Sequence, residues 1–300
     1  MKTAPIALFT YNRSVHVRQT VEALRNNVLA AESELFVFSD GPREADQETV
    51  AAVREYLGTI TGFKQVTVIE RAANLGLAQS IISGVTEIAD RYGRIIVLED
   101  DMVTSPWFLR YMNEALEFYR DEERVISIHG YLYPVRVKLP STFLLLGADC
   151  WGWATWKRGW DLFEPDGQKL LGDLRARNLT YRFDFDGAYR YTRALEEQVN
   201  GINDSWAIRW YASAFLRDRF TLYPGTSLVH NIGNDESGTH CFATDIFDAE
   251  ISPVPVHIEP IPLEENRIAR QAFRAFFFSL VPSPWRRVWT HIIRMVTGAS

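Results

Sequence analysis

Short apolar runs alternate with amphipathic stretches through the first 130 residues. Ile6 to Thr10, Glu34 to Phe38 and Gln65 to Glu70 are brief and bounded by polar residues, and they read as strands. Val15 to Ala30, Ala45 to Leu57 and Leu77 to Tyr92 carry apolar residues at helical spacing, and the last leads into the strand Ile95 to Leu98. Ser105-Pro106 starts a further helix, because proline suits a first turn, and Trp107, Tyr111, Ala115 and Phe118 recur along it at helical spacing. Val125 to Ile128 is one more strand. Strands alternating with helices predict an α/β fold built on a mainly parallel sheet flanked by helices.

Beyond residue 130 the texture shifts to aromatics and turns. Trp151, Trp153, Trp156 and Trp160 crowd into one segment with Gly147, Gly152 and Gly159, and they read as a mixture of core and pocket wall. Asn266 to Ser300 holds six arginines and no acidic residue, with Phe273, Phe276, Phe277, Trp285 and Trp289 interleaved, and Pro282 and Pro284 divide it into two helices. The expected organisation is therefore residues 1–130 as one half of a domain, 131–250 as its second half, and 251–300 as a basic, aromatic C-terminal extension.

The chain has 300 residues, 47% of them apolar, enough to bury a full core. A net charge of −6 argues against a nucleic-acid binder held by a general basic surface. Two cysteines, Cys150 and Cys241, are too few for a disulfide framework and suit a reducing cytoplasmic setting. The apolar start, Ile6 to Phe9, is too short for a signal segment, and no apolar stretch approaches the roughly 20 residues of a spanning helix.

Glu99-Asp100-Asp101 closes the run Arg94 to Leu98. Three acidic groups at the carboxyl end of a buried strand suit a hard divalent cation such as Mg2+ or Mn2+. In open α/β sheets ligands collect beyond the carboxyl ends of the strands, which is where a nucleotide is expected. The plain alternative is a solvated junction between strand and loop.

With that run placed, the chain resembles the inverting GT-A glycosyltransferases, both the family-2 bacterial sugar transferases and the N-acetylglucosaminyltransferase that starts complex N-glycans. The resemblance spans roughly residues 4–245. It rests on ordered features: Phe9-Thr10-Tyr11-Asn12-Arg13, Phe38-Ser39-Asp40-Gly41, Asn74-Leu75-Gly76-Leu77-Ala78, Val97 to Asp101, Gly152-Trp153, Asn203-Asp204-Ser205-Trp206 and Gly238-Thr239-His240. It implies a GT-A, Rossmann-like sheet and a metal-dependent transfer of sugar from a nucleotide-sugar donor to a glycan or lipid-linked glycan acceptor.

The resemblance assigns Thr10, Asn12, Arg13 and Asp40 to the nucleoside, and Asn74 and Gly76 to the donor sugar and diphosphate. Asp101 becomes the first metal ligand, Asp100 faces ribose or metal, and Glu99 supports them. His240 is a second metal ligand or phosphate contact, with His230 as runner-up. Asp204 is the base that takes the acceptor proton; alternatively it only caps the helix Ser205 to Leu216, and Asp161 is the fallback. Trp151 and Trp153 face the acceptor, and Gly233 to His240 form a lid. The tail is expected on an anionic membrane surface, which gives a cytoplasmic protein peripheral to the inner face of the membrane; alternatively it packs on the acidic catalytic domain or on a second subunit. The rival readings are a nucleotidyltransferase and a non-catalytic nucleotide-sugar-binding scaffold.

Overall fold

The computed structural model of the protein describes residues 2–235 and 244–280. Its first part winds β1 (Ile6–Thr10), α1 (Ser14–Arg25), β2 (Glu34–Ser39), α2 (Gln47–Leu57), β3 (Gln65–Glu70), α3 (Leu77–Tyr92) and β4 (Arg94–Glu99). β5 (Met102–Thr104), α4 (Phe108–Phe118), β6 (Val125–His129), β7 (Thr142–Leu146) and β8 (Trp153–Trp156) follow. The chain then forms α5 (Lys157–Trp160), α6 (Gly167–Ala176), α7 (Thr180–Phe183), α8 (Tyr191–Val199) and α9 (Trp206–Leu216), before β9 (Phe220–Pro224), β10 (Val229–Asn231) and α10 (Arg267–Leu280).

Eight strands make one sheet in the order β3-β2-β1-β4-β8-β6-β9-β7, and β5 with β10 makes a small antiparallel ribbon. The pairs within β3-β2-β1-β4 are parallel, as is β6 with β9; β8 and β7 run against their neighbours. β8 inserts between β4 and β6, so one sheet passes through both halves of the chain. The alternation of strand side chains divides the core between the two faces. Ile6, Leu8, Leu35, Val37, Ile96 and Leu98 pack with α1, α2 and α4, while Ala7, Phe9, Phe36, Phe38, Ile95 and Val97 pack with α3. The fold is the expected α/β architecture, a mostly parallel sheet flanked by helices with a helix at its C-terminal side.

Three departures have local causes. α1 ends at Arg25 rather than Ala30, because the buried Asn27 side chain donates to Ala23 O and Thr104 Oγ1 and accepts from Leu109 N, tying the chain to α4. The start of α9 is capped by Ser205, whose Oγ accepts from Ile208 N at 3.2 Å, so the capping role considered for Asp204 belongs to its neighbour. In the tail, Phe273 and Phe277 are each 1% exposed and lie against Tyr133, Phe185 and Tyr223. Phe277 is thus a core residue rather than a membrane-facing one, and Arg270 pairs with Glu265 and Asp186 of the same protein. Trp285, Trp289, Arg286, Arg287 and Arg294 lie outside the described residues.

Candidate functional site

The carboxyl ends of β1, β2 and β4 open into a cleft of about 290 Å³. Thr10, Tyr11, Asn12 and Arg13 line it after β1, and Asp40 and Arg43 after β2. Asn74, Gly76, Leu77 and Ser80 contribute from the start of α3, Glu99, Asp100, Asp101 and Met102 from beyond β4, and Trp151 and Asn231 close it.

Asp40 is buried and knits the floor. Its Oδ1 accepts from Gly41 N and Leu75 N, and its Oδ2 from Gly76 N at 2.9 Å and Asn74 Nδ2 at 3.2 Å. The close approach needs Gly41, where a Cβ would stand 2.3 Å from the backbone carbon of Ala73. Asn74 is engaged on both sides, donating to Asp40 and Gly41 O and accepting from Arg43 Nε at 3.3 Å. Gly76 has φ 75°, a left-handed turn that delivers the free amides of the first turn of α3 to the cleft. Any ligand atom reaching Asp40 or Asn74 must share a group already bonded; their first effect is to hold the 73–76 loop.

A second clamp orders the strand end of β1. Asp46 accepts from Tyr11 Oη at 2.6 Å and from Asn12 Nδ2 at 3.0 Å. Those two bonds hold its carboxyl below the usual range, while burial and the Asp46 contact push the Tyr11 phenol up. Tyr11 and Asn12 are thereby fixed in orientation.

The acidic run carries the strongest electrostatics. Arg13 Nη2 bridges Asp100 Oδ1 and Asp101 Oδ2, the latter at 2.8 Å. Burial lowers the Arg13 guanidinium, but attraction to the two aspartates more than offsets it. Arg13 therefore serves the acidic pair directly, a different duty from bracing a nucleoside. Burial, with Asp101 and Asp100 nearby, pushes Glu99 up to about 8; burial likewise pushes Asp100 up to about 6 against the lowering pull of Arg13. Asp101 Oδ1 is buried with no hydrogen-bond partner. An orphaned carboxylate oxygen beside two acids whose charged forms burial disfavours is a site short of positive charge, and it fits a hard cation. Among the described residues no three His, Cys, Asp or Glu side chains form a complete metal cage, so such an ion would take its other ligands elsewhere.

The remaining expected residues disperse. Trp151 is half-buried at the cleft wall, edge-on to Tyr131 at 4.8 Å, with its backbone N–H donated to His129 Nε2. Trp153 has no exposure and stacks on Trp206 at 5.5 Å and against Trp210, so the acceptor contact expected of it is replaced by a core role. Asp204 precedes α9 outside the cleft lining; its carboxylate is 74% exposed and pairs with Arg209 at 3.0 Å. Asp161 follows α5, whose Lys157 N bonds Gly93 O at the amino end of β4, opposite the acidic run, and it pairs with Lys157. That position removes it as a fallback base. His230 sits in β10 opposite Val103 and does not line the cleft. His240, and the lid beyond Asp235, lie outside the described residues.

Tyr11, Arg43 and Asn231 line the cleft but were not singled out from the sequence. Tyr11 lay within a motif that did signal the site. Asn231 and Asp46 had no local signal, because each meets its partner only through the fold.

Among solved structures the chain is similar to the mannosyltransferase PcManGT from Pyrobaculum calidifontis, in complex with GDP-Man and Mn2+. The identity is 15% over 42% of this chain and 34% of that one, with a TM-score of 0.33. It is also similar to residues 1–349 of S. aureus TarS, at 11% identity over 76% of this chain and 60% of that one, with a TM-score of 0.40. The chain thus spans about a third of the first and under two thirds of the second. A comparison with curated proteins gives no match. Residues 6–142, the span that builds β1 through β6 and nearly all of the cleft, match the family model described as Glycosyl transferase family 2.

Proposed function

We propose that the protein is a metal-dependent, inverting glycosyltransferase that moves a hexosyl or N-acetylhexosaminyl unit from a nucleotide sugar, in the first instance a UDP-sugar, to a glycan or lipid-linked glycan. The observation that carries this reading is the cleft: the ends of β1 and β2, the amides that open α3 and the acidic run after β4 converge on one volume of about 290 Å³. The match of residues 6–142 to a glycosyl transferase family supports the same reading.

Tyr11, held by Asp46, offers a fixed ring to a nucleoside, and the first turn of α3 offers amides to a diphosphate. Asp101 and Asp100 would hold Mn2+ or Mg2+, which when bound neutralises the diphosphate as it leaves. Trp151 forms the wall toward an acceptor. Asp204 takes the acceptor's proton, with Arg209 orienting its carboxylate. It stands one residue before Ser205 and two before Trp206, whose ring stacks on Trp153. An anionic membrane contact on the cytoplasmic face, if made by the tail, rests on residues 281–300, because α10 spends its apolar face on the protein. Among the described residues no helix is long and apolar enough to cross a membrane.

The test is turnover of a panel of UDP-, GDP- and dTDP-sugars with Mn2+ or with a chelator, followed by the anomeric configuration of the product. Metal-dependent release of nucleoside diphosphate with inversion is expected. Release that the chelator leaves unchanged, or a product with retained configuration, would refute the corresponding part of the proposal.

A further inference from the structure

Asn231 ends β10, which pairs antiparallel with β5 so that Asn231 stands opposite Met102, the residue after Asp101. It is only 5% exposed, yet it lines the cleft. The backbone decides which way its amide points. Gly233 donates its N–H to Asn231 Oδ1 at 2.7 Å, so the carboxamide oxygen faces the turn and the Nδ2 group faces away from it. Among the described residues nothing accepts from Nδ2, and unlike Asp101 Oδ1 that nitrogen is not a sealed, partnerless atom.

The turn is pinned against the acidic run. Ile232 donates to Asp101 O at 2.9 Å, and a Cβ on Gly233 would lie 2.2 Å from Asp101 Oδ2, so a side chain there would displace the Asp101 carboxylate. The turn that follows Asn231 is thus held beside Asp101 by the Ile232 hydrogen bond and the close approach of Gly233, while the Gly233 N–H fixes Asn231 Oδ1 and leaves Nδ2 uncommitted at the cleft. The other polar side chains of the cleft are largely engaged: Asn12 by Asp46, Asn74 by Asp40 and Gly41, Arg13 by Asp100 and Asp101. Asn231 holds a neutral, uncommitted N–H donor. Neutrality matters here, because a lysine or arginine in its place would form an ion pair with Asp101.

We infer that Asn231 binds a phosphoryl oxygen of a nucleoside diphosphate through Nδ2, next to the charge held at Asp101. The inference deepens the donor-site reading above and rests on it. Calorimetry on the full chain with Mn2+ tests it, using uridine, UMP and UDP, with the guanosine series in parallel. Asn231→Asp keeps an oxygen for Gly233 N–H but removes the donor; Asn231→Ala removes the donor without adding a charge. Both variants are expected to lose about tenfold to a hundredfold of diphosphate affinity, the range for a hydrogen bond to a charged group, while nucleoside affinity stays within about twofold. The inference is overturned if both variants keep the wild-type preference for diphosphate over nucleoside, or if nucleoside affinity falls equally, which marks a structural role. A loss seen only with a nucleotide sugar also overturns it, since Nδ2 then meets a sugar hydroxyl. Wild-type protein that binds no member of either series instead sinks the donor-site reading, and this inference with it.

Discussion

Truncating Phe277 to alanine separates a docked C-terminal helix from one free to meet a membrane. The ring is 1% exposed and lies 4.9 Å from Tyr189, 5.1 Å from Tyr133 and 5.1 Å from Phe185, centroid to centroid. Removing a buried phenyl from a packed site costs about 3–5 kcal/mol, through lost transfer energy and the cavity left behind. Unfolding entropy of about 2.1 cal/mol/K per residue, over 300 residues, gives about 0.6 kcal/mol/K, so the expected fall in Tm is about 5–8 °C. Phe278, one position on, is 46% exposed, and its alanine variant should fall by no more than about 1 °C. Differential scanning fluorimetry with a urea titration at constant m-value reads both. Equal effects of the two substitutions, or a cost at Phe277 below about 1 kcal/mol, would refute the docking of α10 and return its apolar face to the membrane.

Asp101→Ala should abolish Mn2+-dependent binding of nucleoside diphosphate with an unchanged circular dichroism spectrum; full metal-dependent affinity by calorimetry would remove Asp101 from the metal site. Asp204→Asn should keep donor binding and lose about 10²- to 10⁴-fold in transfer, and a rate within a few-fold of wild type would clear it of the base role. Glu99 at about 8 and Asp100 at about 6 must shed protons before a cation binds, so Mn2+ affinity should climb from pH 6 to pH 8 and level above it; Glu99→Gln should flatten the upper part of that climb. The same raised values cost stability as pH rises, because the folded state holds protons the unfolded chain releases near pH 4, so without metal Tm should decline between about pH 5 and 8. Gly41→Ala, whose Cβ meets the Ala73 backbone, should displace the 73–76 loop and weaken nucleotide binding by at least about tenfold, and unaltered affinity would show that the loop tolerates the shift.

Hydrophobic periodicity is enough to specify the sheet and the edge at which the chemistry gathers. Strands spaced by helices favour parallel pairing, which brings Thr10, Asp40 and Glu99, at the ends of β1, β2 and β4, to the same edge. That is a consequence of local periodicity, and periodicity is written in the chain. Packing, by contrast, gives different roles to identical residue types with different neighbours. Trp151 and Trp153 lie two residues apart, yet the first stands beyond the strand and meets the cleft, while the second is sealed where β8 wedges between β4 and β6. Asp46 locks Tyr11 across 35 residues, and the turn after Asn231 reaches Asp101 only because β10 pairs with β5. The aromatic face of α10 reads equally well as membrane-seeking or core-seeking. The choice fell to Tyr133, Phe185 and Tyr189, which offer it a dry surface that no local pattern encodes.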